Sequence, residues 1–62
     1  MERTGVGHSL IEAFDKAATL IAEAIIEEDP WAEVFIGLPT TVEVCKEYGE
    51  LVWVVTVKGG KK

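Results

Sequence analysis

The chain has 62 residues, a net charge of −5, 48% hydrophobic side chains and a mean hydropathy of +0.22. That length supports one domain, and a domain this size buries only about 60% of the surface its unfolded chain exposes. A single cysteine, Cys45, excludes an internal disulfide, and one histidine, His8, leaves few soft metal ligands, so self-association is the expected source of extra stability.

Charge is unevenly spread. Residues 1–50 hold all 11 acids against Arg3, Lys16 and Lys46, whereas residues 51–62 hold only Lys58, Lys61 and Lys62. An acidic body repels phosphate backbones, which argues against a nucleic-acid partner. Residues 1–8 are Gly-bearing and read as an irregular segment, either a short strand or an arm, without the apolar run of a signal peptide. A cytoplasmic protein with a reduced thiol is the expectation.

Residues 9–28 read as a helix. Ser9-Leu10-Ile11-Glu12 has the form of a capping box, in which the serine hydroxyl accepts from the Glu12 N–H. Ala, Leu, Ile and Glu dominate as far as Glu28. Asp29-Pro30 ends the run, because proline pushes the preceding residue out of the helical region. Glu12, Asp15, Lys16 and Glu23 interrupt the apolar stretch, so no bilayer span is expected. Leu10, Phe14, Ala17, Ile21, Ala24 and Ile25 form one apolar stripe. Ile11, Ala18, Ala22 and Ile26 form a second beside it. The polar set covers only about a third of the circumference, where a surface helix is ordinarily polar over more than half. Such a helix asks for more cover than one small sheet provides.

Residues 31–58 read as three strands: Trp31–Ile36, Thr40–Glu47 and Glu50–Lys58, the first ended by Gly37-Leu38-Pro39. A turn centred on Tyr48-Gly49 sets Lys46 opposite Leu51, Val44 opposite Trp53 and Val42 opposite Val55. One hairpin face is then Val42, Val44, Leu51, Trp53, Val55 and Val57, a core face for the helix. The other carries Thr41, Glu43 and Cys45 against Val52, Val54 and Thr56. The last strand is apolar on both faces, as a central or doubly covered strand would be. Residues 59–62 read as a frayed tail. The expected fold is α+β: one long helix followed by a three-stranded antiparallel sheet (α-β-β-β), the helix packed on one face.

Candidate chemistry is sparse. His8 at the helix entry, the Cys45 thiol amid mixed charges, the Glu27-Glu28-Asp29 cluster and Gly5-Val6-Gly7 each fit local structural roles better than catalytic or ligand roles. No acid–base or nucleophile–base pair is identifiable, so no enzyme, metal or cofactor is expected. The expectation is a homo-oligomeric module that binds a protein partner, with Phe14, Ile21, Ile25, Trp31 and Trp53 as core or interface anchors and Ile26, Val52 and Val54 as further interface candidates. Uncovered surface should lie on the Ile11–Ala18–Ala22–Ile26 flank or the Val52–Val54 face.

Val6-Gly7-His8-Ser9 before the helix, Trp31-Ala32-Glu33-Val34 after it, and Gly49-Glu50-Leu51-Val52 with Val55-Thr56-Val57-Lys58 at the end resemble the dodecins. The resemblance implies a β-α-β-β protein that assembles into hollow dodecamers and binds flavin, with Trp31 stacking on the isoalloxazine ring. The family's last-strand glutamine is not matched here, where Trp53 and Val54 stand nearby. The arm at residues 1–5 and the added Gly37-Leu38-Pro39 depart from the family pattern. The helix-and-strands order also looks like PepSY-type and immunity-protein modules, which bind other proteins.

Overall fold

A computed structural model describes residues 1–62. Four elements follow in the order β1 (Glu2–Gly7), α1 (Leu10–Glu28), β2 (Val34–Glu47) and β3 (Glu50–Lys61). The strands form one antiparallel sheet in the order β1-β3-β2, so the last strand is central. The α+β class and the single helix packed on one face of a three-stranded antiparallel sheet agree with the sequence.

The placement of the strands along the chain differs in three places. Of the two readings of residues 1–8, the short strand is the one realised, as β1, so the order is β-α-β-β rather than α-β-β-β. Its glycines suggest irregularity, yet both are buried and serve the helix contact. The strands expected at 31–36 and 40–47 are one strand, β2, with register shifts between Ile36 and Pro39 and between Pro39 and Thr41. An edge strand accommodates this, because its outer side needs no proline N–H and a bulge absorbs the extra residues. Finally, β3 runs through the expected tail to Lys61: Gly59 pairs with Ile36, Gly60 with Phe35 and Lys61 with Val34.

Other expectations hold in detail. Ser9 caps α1, its hydroxyl accepting from the Glu12 N–H at 3.1 Å. The Glu12 carboxylate meets the Lys16 ammonium at 3.3 Å, and that hydrogen bond holds its pKa below the ordinary value. The hairpin turns at Tyr48-Gly49, both with positive φ, and pairs Lys46 with Leu51, Val44 with Trp53 and Val42 with Val55. Paired positive-φ residues match the twist of the flanking strands.

The core comprises Ala13, Ala17, Ile21 and Ile25 of α1 with Val55 and Val57 of β3. Phe14, Ala32, Val34, Ile36 and Trp53 pack around it. Only 8 of 62 residues are buried, and Gly5 and Gly7 of β1 complete that set. A Cβ on Gly5 would strike the Ala13 carbonyl oxygen and come within 2.6 Å of the Ala17 nitrogen. The helix backbone therefore rests directly on β1. This close seat puts α1 over β1 and β3 and leaves much of β2 outside its cover. Val42, Val44 and Leu51, expected beneath the helix, are exposed as a result.

Candidate functional site

The structure separates the candidate interface residues into three environments. Ile21 and Ile25 are buried within the chain's own core, so of the two roles expected for them they take the core one and not the interface one. Their place at the centre of the apolar stripe is what turns them onto β3. Phe14, Val52, Trp53 and Val54 are half-buried. Ile26 and Trp31 are exposed. Val52 and Val54 lie on the sheet face away from the helix, opposite Cys45 and Glu43 of β2.

Trp31 does not begin a strand. It sits in the turn between α1 and β2 and is 94% exposed. Its backbone is nevertheless anchored: the Trp31 N–H donates to Asp29 Oδ1 at 3.2 Å, and the Ala32 N–H donates to the Asp29 carbonyl at 3.0 Å. Asp29 in turn meets the Lys61 ammonium at 3.1 Å. The Lys61 hydrogen bond, followed by that from the Trp31 N–H, holds the Asp29 pKa below the ordinary carboxylate value. An indole is thus presented to the surroundings on a pinned turn, with Phe35 and Leu38 also exposed along the first part of β2.

On the opposite flank of the helix, a cleft of about 500 Å³ opens between α1 and the free edge of β1. Thr4, Val6, Asp15, Lys16, Leu20 and Glu23 line it. Its charges are mixed in sign, with Lys16 between the acids Asp15 and Glu23. A smaller recess lies at the other end of the sheet beside Glu50 and Leu51, where His8 Nδ1 stands 3.8 Å from Glu50 Oε2. Both side chains of that pair are largely exposed. Cys45 is an exposed free thiol on β2. The structure does not bring His8, Cys45 and the Glu27–Asp29 acids together at one place, since they fall at the helix entry, on the sheet and at the helix exit.

Sequence reasoning placed Val42, Val44 and Leu51 in the core. The feature that relocates them is the glycine pair in β1, which decides where the helix sits. No helix is long and apolar enough to cross a membrane. The fold is that of an α+β domain with β-α-β-β connectivity, and no family model, curated protein or solved structure matches the chain.

Proposed function

We propose that this protein is a small self-associating module without catalysis of its own, which offers its assembled surface to a protein partner. The observation that carries the reading is the imbalance between core and surface. Six apolar side chains make the core, while Ile11, Trp31, Phe35, Leu38, Val42, Val44 and Leu51 all stand exposed. Scattered apolar residues are ordinary on a monomer, but contiguous ones mark contact surfaces. The acidic body suits neither nucleic acid nor an anionic membrane surface. The free Cys45 thiol suits a reducing, cytoplasmic setting. Light scattering at micromolar concentration tests the reading. The expected result is a particle of at least two chains, and a 6.8 kDa monomer overturns it.

A second reading is a dodecin-like flavin-binding oligomer. It is favoured by the β-α-β-β order together with a tryptophan standing free on the turn just ahead of β2. An exposed indole on an anchored backbone is suited to stack against a planar ring. On this reading, riboflavin or FMN quenches tryptophan fluorescence, and Trp31→Ala removes most of the quenching. No quenching, or equal quenching in the variant, eliminates it.

A further inference from the structure

β1 is an edge strand whose outer side has no neighbour in the sheet. The Gly59 N–H donates to the Met1 carbonyl at 2.8 Å, which makes Met1 and Gly59 a hydrogen-bonded pair. Antiparallel pairs alternate between bonded and non-bonded, so Arg3, Gly5 and Gly7 turn their backbone groups to β3, while Thr4 and Val6 turn theirs outward. These outward groups border the cleft of about 500 Å³ beside α1. The helix supplies its far wall through Asp15, Lys16, Leu20 and Glu23. The other edge of the sheet is guarded: β2 carries Pro39, two register shifts and the charges Glu43, Lys46 and Glu47. Such features keep an edge from pairing. From Thr4 to Gly7, β1 has none of them.

We infer that this edge takes an extended, basic peptide segment of a protein partner, which adds to the sheet as a strand beside β1 and lays lysine or arginine side chains along the cleft. This rests on the partner-binding reading above and gives that partner a place and a chemistry. The backbone groups of Thr4 and Val6 supply the main-chain bonds, and alternate side chains of the added strand supply the recognition. Charge decides what those side chains are. Lys16 is already engaged by Glu12 at 3.3 Å, whereas neither Asp15 nor Glu23 has an ion-pair partner. The positions of Asp15 and Glu23 are separated by about 12 Å along the helix axis. Residues four apart in a strand share a face and are separated by about 13 Å. Two basic residues at that spacing therefore reach the two carboxylates together. Leu20, between them, offers apolar surface to their methylene stems. A second copy fits this edge less well. A two-fold antiparallel pairing of β1 with β1 puts both helices on one face of the sheet, and Lys16, Leu20 and Glu23 of each would then claim the same space.

Fluorescence anisotropy of a dye-labelled peptide at physiological ionic strength tests the assignment. The probe is a seven-residue peptide with lysine at its second and sixth positions, valine at its third and fifth, and threonine elsewhere. Saturable binding to wild type is expected. The double variant Asp15→Lys/Glu23→Lys should bind the peptide at least about tenfold more weakly, because two modest attractions become two repulsions. Both positions are exposed on the helix, so the fold tolerates the change, as circular dichroism would verify. Methylating the peptide's backbone nitrogens should weaken binding by a similar factor, since the added strand loses its donors. Glu43→Lys/Glu47→Lys makes the same change of charge on β2, away from the cleft, and should leave binding within about twofold because salt screens distant charges. Absence of saturable binding, equal binding of the methylated peptide, or an equal loss in the two double variants overturns the site. Sedimentation without peptide reads self-association separately. An oligomer that takes no peptide loses this site alone, and a monomer that takes none loses the module reading with it. A monomer that takes the peptide keeps the site and loses the self-association.

Discussion

Replacing Gly5 with alanine is expected to cost most of the stability of the single chain, about 3 kcal/mol or more, since overpacking against a fixed backbone lies at the upper end of such penalties. Local propensity points the other way, because alanine in place of a strand glycine returns about 0.5–1 kcal/mol of backbone entropy. Sterics decide the sign. The new methyl would meet the Ala13 carbonyl oxygen and the Ala17 nitrogen, which belong to the helix backbone and cannot rotate aside. Relief requires α1 to lift from β1, and that withdraws Ala13 and Ala17 from the core they share with Val55 and Val57. A domain this small holds only about 3–5 kcal/mol in total. Urea unfolding followed by circular dichroism should therefore show a far lower midpoint for Gly5→Ala, or no folded baseline. A midpoint equal to that of wild type would mean that the helix does not sit on β1 as described.

The same glycine explains which parts of the fold were legible in the sequence. The helix was legible because its start, its stop and its periodicity are all local: Ser9 caps it, Asp29-Pro30 ends it, and the apolar stripe runs between. The hairpin register was legible because a two-residue turn at Tyr48-Gly49 fixes every pair that follows. β1 was legible only as one of two readings, because what decides between strand and arm lies on the helix. Gly5 and Gly7 look like breakers until the backbone that crosses them is known. The continuity of β2 through Gly37-Leu38-Pro39 was hidden similarly, since only its edge position makes a proline and a bulge acceptable there. Surplus apolar surface was legible on the helix flank, at Ile11, Ala18 and Ala22. The exposure of Val42 and Val44 was not, because alternation identifies which residues share a face but not how far along that face a helix reaches.

Ile21→Ala is expected to remove about 2–5 kcal/mol by opening a cavity in the core. Ile21 is fully buried, and its side chain lies against Gly59, whose missing Cβ would sit 3.1 Å from Ile21 Cγ2. Val55 and Val57 share the same cluster. The valines are held by sheet hydrogen bonding and cannot close in, while a glycine has no side chain with which to fill the void. Relaxation is therefore limited and the cost should fall in the upper half of that range. Ile26, on the exposed part of the same helix, provides the contrast: Ile26→Ala in the dissociated chain should cost about 1 kcal/mol or less, because the three carbons removed are already about half exposed. Protein concentration then distinguishes core from assembly. If the chain self-associates, its melting temperature rises with concentration, because pairing stabilises the folded state by mass action. The Ile21→Ala deficit arises inside one chain and should remain when its unfolding is compared with wild type at low concentration. A deficit that disappears on dilution would place Ile21 in the contact between copies, against its burial in the protomer.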